Sequence, residues 1–351
     1  MNAKYSQVSV SPNLQPSKSD PIRPWFVAAE ELDDFIGIRF GRIPPSETEP
    51  EWFYRSHADF DGIGGLADIL RGRGARVEEL PTIPHPVEPS VKYLLRSMPD
   101  YFQPRERVSW KERFPVAPSR PDRPPAAVAW KVFDEHFSTE IRTRCHAAGI
   151  TVNSFLLRHI CSAFFPSMDD GDRTIPWMIP VNLRGKVRRD RDTENHSSFV
   201  RVVVDRSDGE AEVHAKVYDA LAAGGHWASW LAYSYGRPLP QAARRALISA
   251  ERATGKWVVG AFSNLGVWDQ DGSLSGEGID GDWLFVPPAM SFFRIGAGCI
   301  TFRRRLSLCI HLHPQLCEDP DVAWEWMDRW TAEIESAMYR YESAGDAVAA
   351  S

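Results

Sequence analysis

The sequence predicts a mixed α/β fold, and three observations carry this prediction. Short runs rich in aromatic and β-branched residues, typical of strands, lie at residues 52–55, 128–133, 174–184, 199–204, 258–266 and 284–313. Segments with helical periodicity lie at residues 66–70, 138–165, 209–254 and 321–341. Finally, 43% of the 351 residues are hydrophobic, which is enough to bury one large core or two smaller ones.

Charge and cysteine content narrow the class of protein. The 41 Lys and Arg against 47 Asp and Glu give a net charge of -6, which argues against a nucleic-acid partner or an anionic membrane surface. The five cysteines include no CxxC pair, and their odd number does not indicate a disulfide framework. No apolar run is long enough to span a bilayer, and the first residues do not resemble a signal peptide. We therefore expect a soluble cytoplasmic protein without a membrane span.

The chain begins with a segment of low hydrophobicity. Residues 1–21 are rich in Ser, Pro, Asn and Gln and are predicted to form a disordered tail. Short strands are then expected at residues 25–28 and 35–40. A further strand at residues 52–55 would deliver His57 at its end.

The middle of the chain alternates between irregular and regular segments. Recurrent prolines predict a long surface connection over residues 81–125. Ser138 is then expected to cap a helix. The helix predicted at residues 151–165 is apolar on most of its surface and should be buried. His159 and Cys161 within it are interpreted as packing residues rather than ligands.

Residues 56–62, with the sequence SHADFDG, combine a histidine, a carboxylate four residues later and a glycine. A histidine near its ordinary pKa takes up a proton at neutral pH and returns it within one turnover, which suits His57 to general-base catalysis. Asp61 has two interpretations: it orients the imidazole as in a triad, or it shapes the loop. The glycines at residues 62–65 lack the full pattern of a phosphate-binding loop, and the start of a helix explains them equally well.

These seven residues resemble the HxxxDG motif of the chloramphenicol acetyltransferase-like superfamily, which includes nonribosomal-peptide condensation domains, wax ester synthases and plant BAHD acyltransferases. Ser56 stands where many members have a first histidine. Further resemblances follow in the order expected for the family, at residues 149–153 (GITVN) before an apolar helix, 180–184 (PVNLR), Asn195 with Ser198, and 262–266 (FSNLG).

The resemblance implies two similar lobes, each with a mixed sheet flanked by helices, and an active-site tunnel between them. We expect an N-terminal lobe at residues 22–170, which carries the motif, and a C-terminal lobe at residues 171–345. The segment before His57 is short for this family, which implies a first lobe shortened at its N-terminus. The acceptor side of the tunnel would then be open, or closed by a second subunit of a homo-oligomer.

The same resemblance implies a reaction. An acyl group would move from a thioester of coenzyme A or of a carrier protein to a hydroxyl or amine of a small molecule, with His57 as general base. The thioester is a co-substrate, so no permanently bound cofactor and no metal are expected. The implied partners are a small-molecule acceptor and an acyl or peptidyl carrier protein. A noncatalytic binding or scaffold relative, and a thioester hydrolase, are the alternatives.

The resemblance also implies roles for other residues. Asp61 would turn away from His57 and pair with an arginine, with Arg184 the preferred partner, and Gly62 would supply backbone freedom at the turn. Ser263 occupies the family's position for a donor to the oxyanion, and Asn264 is the neighbouring alternative. A plain turn at residues 263–266 explains the same residues.

Two other groups of residues have alternative interpretations. In the basic loop, Lys186, Arg188 and Arg189 are candidates for contact with the phosphates of coenzyme A or an acidic carrier protein, although a solvated loop explains them as well. Cys309, His311, His313 and Cys317 are residue types that bind zinc. Neither a second close Cys pair nor a carboxylate cluster accompanies them, so no metal site is predicted.

Overall fold

The computed structural model describes residues 20–32, 35–102, 108–111, 114–118, 126–254 and 258–349. The predicted tail lies outside the described residues as far as residue 19. Asp20 and Pro21, which the same prediction included in the tail, are buried.

Helices and strands occur in short groups along the whole chain, and the predicted mixed α/β class is confirmed. The helices are α1 (Arg23–Glu30), α2 (Gly62–Gly72), α3 (Val91–Phe102), α4 (Glu135–Ala147), α5 (Val152–Phe164), α6 (Glu210–Ala222), α7 (Gly225–Tyr235), α8 (Gln241–Thr254) and α9 (Pro320–Ala349). The strands are β1 (Gly37–Ile43), β2 (Glu51–Ser56), β3 (Val128–Val132), β4 (Thr174–Asn182), β5 (Ser197–Asp205), β6 (Gly260–Trp268), β7 (Asp282–Val286), β8 (Ile295–Phe302) and β9 (Arg305–Leu312).

The strands form two sheets. One has the order β2-β1-β7 and is antiparallel throughout. The other has the order β3-β9-β8-β6-β4-β5 and is mixed, because β6 runs parallel to both β4 and β8. Each sheet takes strands from both sides of residue 170, since β7 pairs with β1 and β3 pairs with β9. The division into lobes at residues 22–170 and 171–345, and the tunnel between them, stay predictions.

The two faces of the six-stranded sheet differ in what covers them. Alternate residues of a strand point to opposite faces, so Trp177 on β4 and Phe262 on β6 lie in the main core with Trp330 of α9. The helix α5 also lies in this core, which explains why its apolar residues surround it. Met178, the neighbour of Trp177, lies on the opposite face and lines a cavity. One face therefore stabilises the fold, and the other is available for a ligand.

Three local predictions are wrong. Residues 25–28 belong to α1, whose first turn contains a proline and whose buried alanines pack with Ile248 of α8. Burial against another helix thus decides between strand and helix where the aromatic residues alone favoured a strand. The surface connection predicted over residues 81–125 contains α3. The cap of α4 is Asp134, which accepts a hydrogen bond from the amide of Phe137 (2.8 Å), rather than Ser138.

Candidate active site

His57 follows directly after β2, in a tight turn. Its Nδ1 lies 2.7 Å from the backbone oxygen of Phe60. A carbonyl oxygen only accepts hydrogen bonds, so Nδ1 must carry the proton of the neutral imidazole. Nε2 is then the nitrogen with the lone pair, and it is the atom that can take a proton from a substrate.

The surroundings of His57 favour its neutral form. Burial lowers the pKa of the imidazole below its usual 6.5, and the hydrogen bond to Phe60 and the charge of Asp61 oppose this only in part. The ring of Phe26, on α1, packs against the imidazole at 4.6 Å between ring centroids. The imidazole of His57 is therefore neutral at pH 7.

Asn195 holds the backbone of His57 in place. It is fully buried, and its Nδ2 donates to the carbonyl oxygen of His57 at 2.9 Å. Its Oδ1 accepts from both the amide (3.0 Å) and the hydroxyl (2.6 Å) of Ser197. The 3.3 Å contact between Asn195 Nδ2 and His57 Nδ1 joins two donors, so it is not a hydrogen bond in this tautomer. Asn195 is part of the resemblance to the family, but the resemblance implied no role for it.

Arg184 and Asp61 form a bidentate ion pair, with both N···O distances at 2.8 Å and both side chains 5% exposed. The remaining guanidinium hydrogens also have acceptors: the backbone oxygens of Asp192 (3.0 Å) and Glu194 (3.2 Å), and the side chain of Asn182 (3.2 Å). All five N–H donors of Arg184 are thereby used. This one guanidinium therefore connects the loop between β4 and β5 to Asp61 of the HxxxDG-like motif.

The carboxylate of Asp61 is equally occupied. Besides Arg184, it accepts from the amide of Gly64 at 2.7 Å and from that of His196 at 2.8 Å. The first of these bonds makes Asp61 the N-cap of α2. Because four N–H groups surround the carboxylate and His57 Nδ1 bonds to Phe60 instead, the geometry fits the loop-shaping interpretation of Asp61 better than the triad.

The glycines after Asp61 are needed for close packing. Gly62 is the first residue of α2 and is not among the glycines with positive φ, so the expected reason, backbone freedom, is wrong. A Cβ on Gly62 would lie 2.6 Å from a side-chain carbon of Leu265. A Cβ on Gly64 would lie only 2.0 Å from the backbone oxygen of Thr193. Gly64 therefore lets α2 approach the backbone of the loop between β4 and β5.

A cavity of about 210 Å³ opens beside His57, and its walls are mainly apolar. The N-terminal part of the chain contributes Ile22, Trp25, Phe26 and Ala29. The open face of the six-stranded sheet contributes Met178, Pro180, Phe199, Ala261 and Ser263. The segment after β7 contributes Pro287, Pro288, Met290, Phe292 and Phe293. The cavity therefore presents an apolar lining next to the imidazole of His57.

The two oxyanion candidates differ in position. Ser263 is buried and lines the cavity, as does His57. Asn264, the next residue along β6, does not line it. Its Oδ1 accepts from the amide of Gly266 (2.7 Å), which has a φ of +78° and so needs to be glycine. Asn264 therefore shapes the turn, and Ser263 is the better placed of the two candidates for donation to an oxyanion.

The candidate donor-binding residues do not share one environment. Lys186 and Arg188 are exposed, and Lys186 pairs with Glu88. The Arg189 side chain is only 1% exposed, pairs with Asp20 at 3.0 Å and donates to the backbone of Asn195 at 2.9 Å. Arg189 therefore links Asp20 to the backbone of Asn195. Of the three candidates, only Lys186 and Arg188 face solvent.

The Cys and His residues near the C-terminus do not converge. Cys309 and Cys317 are buried thiols, and His311 bonds through Nδ1 to the backbone oxygen of Pro287 at 3.1 Å. Burial lowers the pKa of His311 to about 3. Within the described ranges, no group of three or more His, Cys, Asp or Glu residues is arranged to hold a metal ion. No described helix is both long and apolar enough to cross a membrane.

Several solved structures have a similar overall arrangement. Polyketide synthase associated protein 5 from Mycobacterium tuberculosis is 13% identical, with a TM-score of 0.56 over 85% of this chain and 76% of that chain. The wax ester synthase/diacylglycerol acyltransferase from Marinobacter aquaeolei VT8 is 11% identical, with a TM-score of 0.53 over 91% and 99%. The EpoB NRPS cyclization-docking bidomain from Sorangium cellulosum is 11% identical, with a TM-score of 0.51 over 81% and 59%.

These similarities define the fold class. The chain has the chloramphenicol acetyltransferase-like fold that the resemblance implied, with one mixed and one antiparallel sheet and flanking helices. No protein-family model and no curated protein matches the sequence. At identities of 11–13% the likeness concerns the fold alone, so the activity must be argued from the site.

Proposed function

We propose that the protein is an acyltransferase that moves an acyl group from a thioester of coenzyme A or a carrier protein to a hydroxyl or amine of a small molecule. The observation that carries this proposal is the hydrogen bond from His57 Nδ1 to Phe60, which leaves a basic Nε2 beside an apolar cavity. The lowered pKa of His57 supports it, since the base is neutral before the substrate arrives.

The reaction uses one base for two proton transfers. His57 Nε2 takes the proton of the acceptor as its oxygen or nitrogen attacks the thioester carbonyl, and a bond to the acyl carbon forms. The Ser263 hydroxyl donates to the resulting oxyanion. When the intermediate collapses, the C–S bond breaks and the imidazolium returns the proton to the leaving thiolate. The apolar walls limit the access of water, which favours transfer over hydrolysis.

The other residues have supporting roles in this proposal. Asp61, Gly62 and Arg184 maintain the loop that carries His57. Lys186 and Arg188 are candidate contacts for the phosphates of the donor or for an acidic carrier protein. The oxyanion role of Asn264 and the donor-binding role of Arg189 are less favoured, because the side chains of both are engaged elsewhere. The cytoplasmic location and the homo-oligomer stay predictions from the sequence.

A thiol-release assay tests the proposal. The protein is incubated with acetyl-CoA or octanoyl-CoA and a panel of alcohols and amines, and the liberated thiol is measured. Replacing His57→Ala should reduce acceptor-dependent release by about 10²- to 10⁴-fold, which is the usual contribution of a general base. His136→Ala is the control, because that side chain is 82% exposed and should leave the rate unchanged.

The same assay separates the alternatives. Thiol release that does not depend on an acceptor but requires His57 would indicate a thioester hydrolase. Absence of release with every donor, with ligand binding unchanged in His57→Ala, would indicate a binding or scaffold protein and contradict the proposal.

A further inference from the structure

We propose that Asp20 and Arg189 form a buried latch that positions His57 from two sides. On one side the latch holds α1, and with it the ring of Phe26, against the imidazole. On the other side it fixes the loop between β4 and β5, whose Asn195 holds the backbone of His57. Both members of the latch are positioning residues, because they act through other residues. The kinetic consequences rest on the proposed function, whereas the placement of α1 is tested without any reaction.

The ion pair of the latch lies in the interior. Arg189 Nη1 and Asp20 Oδ1 are 3.0 Å apart, and the two side chains are 1% and 5% exposed. The central carbon of the guanidinium lies 5.0 Å from the ring centroid of Trp230, on α7. Its Nε is buried and makes no hydrogen bond with any described residue. Asp20 therefore compensates the charge of a buried guanidinium, and removal of its carboxylate is strongly unfavourable.

The carboxylate of the latch also lies at the start of α1. Asp20 Oδ1 accepts from the backbone amides of Ile22 (2.8 Å) and Arg23 (3.1 Å). Such bonds satisfy amides that have no partner within the helix. One turn further on, Phe26 packs against the imidazole of His57. The position of Asp20 therefore sets the position of the first turn of α1 and of the ring that this turn carries.

The second arm of the guanidinium reaches the loop between β4 and β5. Arg189 Nη2 donates to the backbone oxygen of Asn195 at 2.9 Å. The side chain of Asn195 in turn donates to the backbone oxygen of His57 at 2.9 Å. A planar guanidinium holds two acceptors in fixed positions, which the single ammonium of a lysine does not. The contacts thus close a ring that runs from Asp20 through α1 to His57 and returns through Asn195 and Arg189.

Other contacts hold α1 in a different way. Arg23 pairs with Asp59 and Glu31 pairs with Arg245, and both side chains of each pair reach solvent. Ion pairs of this kind contribute little to stability. Apolar packing against α8 involves the alanines in the second half of α1. The latch therefore acts on the first turn of the helix, which is the part closest to His57.

Histidine NMR tests the placement of α1 without a reaction. The signal of His57 is identified by its absence in His57→Ala, and its pKa is read from a pH titration. Asp20→Asn keeps an oxygen for the two amides but removes the charge, so the first turn should move away and the pKa should rise toward 6.5. Loss of a negative charge alone would lower the pKa, so a rise reports the displacement. Asp61, the carboxylate that faces the imidazole, is unchanged in this variant.

Arg245→Gln is the matched control for this titration, because it breaks an exposed ion pair that also holds α1. It should leave the pKa of His57 unchanged. A pKa in Asp20→Asn that is equal to or below the native value would overturn the proposal. Should Asp20→Asn fail to fold, the double variant Asp20→Asn/Arg189→Met is titrated instead, because it leaves neither charge buried without its partner. The same rise is expected there.

Arg189→Lys separates the two arms of the latch. Its ammonium pairs with Asp20 but lacks the second arm, so the pKa of His57 should stay lowered. In the thiol-release assay kcat should fall by about tenfold at unchanged KM, because the base is less well positioned. Native kcat in Arg189→Lys would overturn the positioning role of the second arm.

A double-mutant cycle tests whether the two residues act as one unit. Asp20→Asn and Arg189→Met should each lower kcat, and the double variant should lower it no further than the more severe single variant. Losses that multiply would show that the residues act independently, which would overturn the latch. If no donor and acceptor give turnover, the proposed function fails, while the titration of His57 still decides whether the latch holds α1.

Discussion

His57 and Asp61 are four residues apart in one turn, yet their side chains meet opposite surroundings. Four N–H groups occupy the carboxylate of Asp61 inside a buried network. The imidazole of His57 commits one nitrogen to the backbone of Phe60 and lies at the wall of a cavity. The two ends of this short motif thus differ: Asp61 fixes the loop, whereas His57, in the function that we propose, keeps a basic nitrogen for a substrate. Substitutions at the two ends should therefore separate stability from activity.

The largest expected effect is on stability, from breaking the buried ion pair. Arg184→Ala leaves the carboxylate of Asp61 buried without its main partner, which costs about 3–5 kcal/mol in comparable cases. Urea unfolding followed by tryptophan fluorescence measures the loss. Arg188→Ala, on the exposed part of the same loop, is the matched control and should change the free energy of unfolding by no more than about 0.5 kcal/mol. Equal effects of the two variants would show that the pair does not fix the loop.

The next effect distinguishes the two glycines at the start of α2. Gly64→Ala forces a methyl group against the backbone oxygen of Thr193, and we expect a loss of about 3 kcal/mol, at the upper end for overpacking. Gly62→Ala meets the side chain of Leu265 and a ring carbon of Phe285, which have more room to adjust, so about 1 kcal/mol is expected. Thermal unfolding of both variants checks the order. A larger loss at Gly62 would contradict the packing argument.

Asn195 links His57 to the loop between β4 and β5, which the ion pair of Arg184 with Asp61 fixes. Its side chain donates a hydrogen bond from this loop to the backbone of His57. Asn195→Asp keeps the acceptor for Ser197 but removes the donor to the His57 carbonyl, at a cost of about 1–2 kcal/mol. If the bond positions the base, kcat should fall by about tenfold while KM changes little. Steady-state kinetics decide this. A rise in KM at constant kcat would show instead that Asn195 shapes the cavity.

The sequence predicts the parts of the site that depend on a contiguous motif. His57, Asp61 and the arginine at the end of β4 lie in short segments whose order resembles a family, and the structure brings Arg184 to Asp61 across 123 residues. The strand that carries Trp177 and Met178 was likewise predicted, within residues 174–184. Such features follow from local periodicity and from residue types.

Other parts depend on contacts that no local pattern encodes. Residues 25–28 favour a strand by composition, and only packing against α8 makes them a helix that carries Phe26 to the imidazole. The role of Arg189 is decided by Asp20, which precedes it by 169 residues and draws the guanidinium into the interior. In both cases the deciding partner is distant in sequence, so propensity and charge alone gave a different interpretation.

The smallest expected effect is on the pH dependence of kcat/KM, and it tests the surroundings of His57 directly. Burial lowers the pKa of His57 below 6.5, so the base stays neutral to lower pH than an exposed histidine. The acid limb of kcat/KM should accordingly have its midpoint below pH 6.5. Phe26→Ala removes the ring that lies 4.6 Å from the imidazole and admits water, so the midpoint should move up toward 6.5.

A control for this shift is Phe137→Ala, which removes a partly buried ring on α4 that packs against Phe133. That variant should leave the midpoint unchanged even if it lowers stability. A midpoint above 6.5 in the native protein would contradict the lowered pKa of His57. A midpoint that is the same in the native protein and in Phe26→Ala would show that α1 does not control the basicity of His57. Burial of His57 would then have to come from residues on the sheet side of the cavity. The helix α1 would affect only which acceptors fit the cavity.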